Sequence, residues 1–342
     1  MIRLIKNVII KIFLFFGYYP TRLLSPYKKA QFLSSQSYPV FVYEIRNLTN
    51  LLMRMNLYRY YDSILREFVP DLTLKIEHCF FIKEGKGAGN INCFRKVKIG
   101  SDEYFEKVYL SKHREWKVAE WFDRYVYRLI YEEVRLPELF KSYEGKLLSI
   151  RYYKYLALSD GCQQDIEAII AYAIKLYRLS LNIEEKMMRK DIPPFILDFK
   201  EHSHYKRFVV KAGMEMNRNG ISLANYEETI SKSKLILTHG DLNYTNLYEE
   251  NYLIDWDEFG LYPIGFEIAY LYYRNYLHEK RELIEEFEPW IERKFRTDII
   301  IQDWLDLVKN SKFFLYVFSF RFDDCKEINQ YRDRFICELK AE

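Results

Sequence analysis

The chain has 342 residues, 49% hydrophobic and 30% charged, which is enough for two lobes around sizeable cores. A net charge of +3 gives no nucleic-acid footprint. The five scattered cysteines (Cys79, Cys93, Cys162, Cys325, Cys337) show no metal-ligand spacing, which argues against zinc and a disulfide framework and fits free thiols in a reducing cytoplasm.

Residues 1–70 read as a basic, apolar, helical extension. Residues 1–43 carry Arg3, Lys6, Lys11, Arg22, Lys28 and Lys29 and no acid. The apolar run Leu4 to Phe16 is interrupted by Lys6, Asn7 and Lys11 and is shorter than the roughly 20 residues that span a bilayer. Gly17-Tyr18-Tyr19-Pro20 is a poor match to a signal cleavage site. Two readings stay open: a helix packed on the protein, or residues 1–30 in peripheral contact with an anionic membrane at its inner face. Leu48, Leu51, Leu52, Met55, Tyr58 and Tyr61 recur at helical steps within residues 40–68, and Pro70 ends the pattern.

Residues 71–153 change texture. Strands are expected over 74–84, 91–99 and 104–110, separated by the turns Gly85-Lys86-Gly87-Ala88-Gly89-Asn90 and Gly100-Ser101-Asp102. A helix is expected from Arg114 to Glu132 and a further strand from Leu147 to Tyr153. Residues 154–342 read as mainly helical: Ile166, Ile169, Ile170, Ala173, Ile174 and Tyr177 mark one amphipathic helix, and helical texture returns after Pro263. The fold class is therefore α+β, a small antiparallel sheet with one helix followed by a helical lobe.

The chemistry concentrates in residues 235–260. The apolar run Leu235–Thr238 leads into His239-Gly240-Asp241-Leu242-Asn243-Tyr244-Thr245-Asn246. Glu249-Glu250-Asn251 is a polar turn, and Tyr252-Leu253-Ile254 precedes Asp255-Trp256-Asp257. A tight hairpin of the apolar runs around that turn brings Asn246 and Asp255 to one end of paired strands. An amide oxygen beside a carboxylate is a partial site for Mg2+, and Asp241 can point at the same space. Phosphoryl transfer needs such a layout: metal-held phosphates and a carboxylate that orients the attacking hydroxyl and accepts its proton.

His239-x-Asp241-x-x-x-x-Asn246 followed by Ile254-Asp255-Trp256-Asp257 resembles the signature of the aminoglycoside phosphotransferase and choline kinase family. The resemblance covers roughly residues 74–275 and implies the protein-kinase-like bilobal fold. It implies ATP and Mg2+ as cofactors, Asp241 as catalytic base, Asn246 and Asp255 as metal ligands, His239 as a brace of the catalytic loop and Asp257 as a helper near the metal. It also implies that Lys107 holds the α- and β-phosphates, that Glu115 (with Glu120 as fallback) holds Lys107, and that Gly85, Gly87 and Gly89 approach the phosphates. The strand ending at Tyr152 and Tyr153 then lines the adenine pocket. Gly265-Phe266-Glu267-Ile268-Ala269 is similar to the family's next segment, which usually carries Asp where this chain has Glu267.

No activation segment follows Asp255, which points from protein substrates toward a small-molecule or glycan acceptor. A membrane-linked glycan or lipopolysaccharide sugar is one variant of that reading, and a catalytically inactive nucleotide-binding module is the alternative. The acceptor site is expected among residues 190–230 and the aromatics Trp290, Trp304, Phe313, Phe314 and Tyr316, which core packing explains equally well. Trp256 reads as a core side chain. His78, His113, His202, His204 and His278 have no partner pattern and read as surface or packing histidines.

Overall fold

A computed structural model describes residues 101–110, 114–131, 133–144, 148–156, 165–187, 192–248, 251–322 and 325–341, and short strands at 18–19, 41–42, 75–80 and 92–99. The expected helix over Leu4–Phe16 and the Gly85, Gly87 and Gly89 turn lie outside the described residues, as does most of 40–68. Within 40–68, Phe41–Val42 (β2) is not helical but pairs in parallel with Tyr18–Tyr19 (β1). The chain divides into two compact units, residues 1–117 with 137–157 and residues 118–136 with 158–342.

The first unit holds a five-stranded antiparallel sheet in the order β3-β4-β5-β7-β6. Its strands are β3 Lys75–Phe80, β4 Asn92–Ile99, β5 Asp102–Leu110, β6 Leu139–Glu144 and β7 Leu148–Lys154. Sequence reasoning missed β6. It is an edge strand whose Lys141, Ser142 and Glu144 are exposed, so no alternating apolar face marks it. The expected helix from Arg114 is present but broken: α1 Arg114–Trp121, a π-helical turn Phe122–Val126, then α2 Tyr127–Ile130. Val118, Trp121, Phe122, Val126 and Ile130 belong to the core of the second unit.

The second unit is mainly helical: α3 Ile166–Met187, α4 Pro194–Leu197, α5 Ser203–Arg218, α6 Leu223–Ser231, α7 Phe266–Tyr272, α8 Phe287–Phe295, α9 Ile301–Ser319 and α10 Lys326–Ala341. Two short antiparallel pairs interrupt it. Leu235–Thr238 (β8) does not join the hairpin around the polar turn; it pairs with Gly260–Pro263 (β11). The hairpin itself is Leu247–Tyr248 (β9) against Tyr252–Leu253 (β10).

Phe266 meets Tyr262 and Phe314 at 4.8 Å each, and Tyr316 stacks on Phe335 at 4.7 Å. Each ring of this size contributes about 1.5–3 kcal/mol by leaving water. Trp290, Phe313, Phe314 and Tyr316 are all buried in this core, so packing accounts for them. Gly265 (φ +98°) lets α7 start where a Cβ would lie 2.7 Å from the backbone of Leu307 and Ser311.

Candidate active site

The loop after β8 is tied by its own backbone. His239 is fully buried; its Nδ1 accepts from the Asp241 N–H (3.2 Å) and its Nε2 donates to the Ile254 carbonyl (2.8 Å). An amide must donate and a carbonyl must accept, so the ring is the neutral Nε2–H tautomer. His239 thereby joins the loop to the end of the hairpin, and Trp256 packs on it at 4.5 Å. The Trp256 indole donates to the Leu253 carbonyl (3.2 Å) and is a core residue.

Gly240 is clamped on three sides. Its N–H donates to Glu267 Oε2 (3.1 Å), and its carbonyl accepts from His202 Nε2 (2.7 Å). On the third side a Cβ would lie 2.1 Å from the Glu258 carbonyl oxygen. His202 is therefore no ordinary packing histidine, as the sequence suggested: it is buried, and its Nδ1 caps α5 by accepting from the His204 N–H. Glu267, despite its extra methylene, reaches the loop from the first turn of α7. Burial first, then the Asp241 charge, push the Glu267 carboxyl up to about 8, against the pull of backbone donors.

That value implies a pH dependence of stability. Folded Glu267 keeps its proton to about pH 8, whereas an unfolded glutamic acid loses it near 4.5. The stabilisation is complete below the unfolded value and is lost as pH rises through the folded one. Glu267→Gln keeps an acceptor for Gly240 and removes the titration. We expect its thermal unfolding curve to decline less between about pH 6 and 9, with a gain of about 1–3 kcal/mol over the parent at the alkaline end. Parallel curves would show that Glu267 does not titrate as described.

Asp241 lies in the centre of this frame. Asn243 Nδ2 and Tyr270 Oη donate to its Oδ1 (3.0 and 2.7 Å), and Asn246 Nδ2 donates to its Oδ2 (3.1 Å). Arg274 Nε stands 3.8 Å from Oδ1. Tyr270 and Arg274 come from α7 and the π-helical turn Tyr273–Leu277 that follows it. Asn275 of the same turn accepts from the Tyr244 N–H (3.1 Å). Burial pushes the Asp241 carboxyl up, Arg274, Tyr270 and Asn246 pull it down and Asp255 pushes it up again, leaving it at about 6.

The hairpin register carries Asn246 to Asp255. The Ile254 N–H donates to the Asn246 carbonyl (3.0 Å), so Asp255 follows directly on the residue paired with Asn246. Asp255 is exposed and left-handed (φ +65°, ψ +60°), a conformation that aspartate tolerates better than most residues. Asp257 is half-buried in the following turn, Trp256–Glu258.

The donor chemistry fits a hard divalent cation. Asn246 turns its amide nitrogen to Asp241, so Oδ1 is its end for a metal, and the Asp255 charge is felt at Asp241. Among the described residues no group of three His, Cys, Asp or Glu side chains surrounds one point. Two protein oxygens completed by phosphate and water suit Mg2+.

In the first unit Lys107 is buried on the face of β5 that also carries Phe105 and Tyr109. Glu106 is buried on the opposite face, so strand alternation separates these two neighbours. Arg151, fully buried, lies opposite Lys107 on β7, and both cations sit over the Tyr109 ring, at 5.2 and 5.1 Å. Glu144 accepts from Arg151 (2.7 Å), Ser149 (3.0 Å) and the Trp116 indole (2.6 Å), tying the sheet to α1. Tyr152 is buried on the Glu106 face and Tyr153 is half-buried on the Lys107 face. Glu115 lies on α1, while Glu120 is paired with Arg124 (3.1 Å).

Sequence reasoning passed over Gly240, His202, Asn243, Tyr270, Arg274 and Asn275. Gly240 and Asn243 stand inside the quoted motif. The Tyr270–Arg274 spacing on a helix was a usable signal. Nothing in the sequence ties His202 to a loop 38 residues away.

No family model and no curated protein matches the sequence. Among solved structures the chain is similar to a thermostable mutant of the aminoglycoside phosphotransferase APH(4)-Ia (TM-score 0.48, 13% identity, 82% of this chain and 99% of that one). It is also similar to a choline kinase from Cryptosporidium parvum Iowa II (0.42, 14%, 83% and 95%) and to an ethanolamine kinase from Plasmodium vivax (0.44, 13%, 93% and 95%).

Proposed function

We propose that this chain is an ATP-dependent phosphotransferase whose acceptor is a hydroxyl of a small molecule or glycan. The observation that carries the reading is a carboxylate, Asp241, fixed by three side-chain donors on a loop whose hairpin sets Asn246 beside the backbone of Ile254 and Asp255. Asp241 orients the acceptor hydroxyl and takes its proton as the hydroxyl oxygen bonds to the γ-phosphorus. The bridging P–O bond to the β-phosphate breaks, and ADP leaves. Asn246 Oδ1 and the Asp255 carboxylate would hold Mg2+, which supplies charge neutralisation on the phosphates when bound. Lys107 would hold the phosphates and Glu115 would hold Lys107. Gly85, Gly87 and Gly89, with Tyr152 and Tyr153, would complete the nucleotide site.

The test is calorimetric nucleotide binding with and without Mg2+, run beside ATP consumption against sugars, sugar phosphates, aminoglycosides and choline-like alcohols. The parent should bind ATP more tightly with Mg2+. Asp255→Ala should lose most of that difference, about tenfold in affinity, while binding metal-free nucleotide as the parent does. Nucleotide binding that ignores both Mg2+ and Asp255 would remove the metal assignment. A parent that binds Mg2+·ATP but turns over none of the acceptor classes would favour an inactive module.

A further inference from the structure

The transfer chemistry uses Asp241 but leaves a cationic surface beside it unexplained. The Nε of Arg274 is 3.8 Å from the Asp241 carboxylate, too far for a hydrogen bond, and is buried without a partner. Arg321, just beyond α9, donates to His278 Nε2 (3.1 Å). Arg207, exposed on α5, lies over Phe208 at 5.4 Å, and Arg281 over Phe322 at 5.4 Å.

These cations converge on two rings, His204 and Tyr273, whose centroids are 5.9 Å apart. The His204 Nδ1 and the Tyr273 hydroxyl are both buried with no hydrogen-bond partner. Burial first, then His202, Arg274, Arg321 and Arg207, force the His204 ring to stay neutral, down to about 2. The carboxylates that oppose this surface are Asp241, acting on Arg274, and Glu279, acting on His278.

Arginines that outnumber their carboxylates repel a cationic acceptor such as an aminoglycoside or choline, and they reward an anion able to take planar, paired hydrogen bonds. We propose that the acceptor is itself anionic, bearing a phosphate or carboxylate group that Arg274 and Arg321 engage while its hydroxyl faces Asp241. This rests on the phosphotransferase reading above and narrows its substrate class.

Inorganic phosphate is titrated calorimetrically into the full chain saturated with ADP and Mg2+. The parent should bind it, and Arg274→Gln and Arg321→Gln, checked for parent-like thermal unfolding, should bind it about 10- to 100-fold more weakly, with Arg321→Lys in between. If both Gln variants unfold, Arg207→Gln on the exposed face of α5 supplies the comparison. Phosphate that the parent does not bind, or that parent and folded variants bind alike, overturns the inference.

In parallel, the parent is given Mg2+·ATP with glucose, glucose 6-phosphate, glucuronate or glucosamine, and phosphorylated product is read by mass. Product with either anionic sugar supports the proposal and tells phosphate from carboxylate. Faster product with glucose or glucosamine overturns it and leaves the phosphotransferase reading standing. A parent that binds no ADP sinks that reading instead, and phosphate titration of the nucleotide-free chain still decides the cationic surface.

Discussion

Asp241→Ala should lower phosphoryl transfer by about 10^2- to 10^4-fold while leaving nucleotide affinity close to that of the parent. The second half follows from how the loop is held. Asn243 and Asn246 also donate to the Asp241 main-chain carbonyl (2.9 and 2.8 Å), and His239 accepts from its main-chain N–H. Removing the carboxylate therefore takes away the base and spares the scaffold. The variant also removes a partly buried charge that Asp255 repels, so its unfolding temperature should stay near the parent's. Asp241→Asn keeps the shape but cannot take a proton at the same strength, and it should fall with Asp241→Ala. The pH profile supplies an independent check. With its carboxyl at about 6, the active carboxylate form accumulates as pH rises, so kcat/KM should climb through about pH 6 and level off. Tyr270→Phe deletes a donor to the charged form and should move that limb upward. Parent-like transfer by both Asp241 variants would mean that the proton goes elsewhere.

The parts of this site that lie close together in the chain were legible in the sequence, because local chemistry fixes them. Asn246 and Asp255 stand at the same end of a hairpin because a polar turn, Glu249-Glu250-Asn251, is flanked by the apolar residues that pair. The sheet strands were legible from β propensity and their glycine turns, except edge strand β6, whose exposed polar residues carry no pattern. The role of Leu235–Thr238 was misread for a physical reason. A four-residue apolar run says that it is a buried strand but not which strand it pairs with, and its partner, β11, ends in a proline that hides it. The long-range braces were not legible. His202 and Gly240 meet because α5 starts where β8 ends its run, and that is a property of packed helices, not of spacing. Arg274 looked like an ordinary helical arginine until the π-helical turn aimed it at Asp241.

The largest structural effect should come from Gly240. Its φ of +82° lies in the left-handed region, which costs an L residue about 1–2 kcal/mol, and an alanine Cβ there would stand 2.1 Å from the Glu258 carbonyl oxygen. The obstacle is backbone, and the same oxygen accepts the Tyr262 hydroxyl (3.1 Å), so it cannot move aside cheaply. Relief requires Gly240 to leave Glu267 or His202, which strands a buried donor or acceptor at about 1–3 kcal/mol each. Gly240→Ala should therefore lose about 3 kcal/mol or more of stability and, in whatever fraction stays folded, about 10^2-fold or more in transfer through a displaced Asp241. His202→Ala separates these two losses. It deletes one clamp and creates a cavity without forcing the backbone, so it should cost less stability while still lowering kcat, because Asp241 follows Gly240 directly. Denaturant unfolding and turnover measured on the same preparations decide the matter: a Gly240→Ala chain as stable and as active as the parent would show that the loop is not held in the way described.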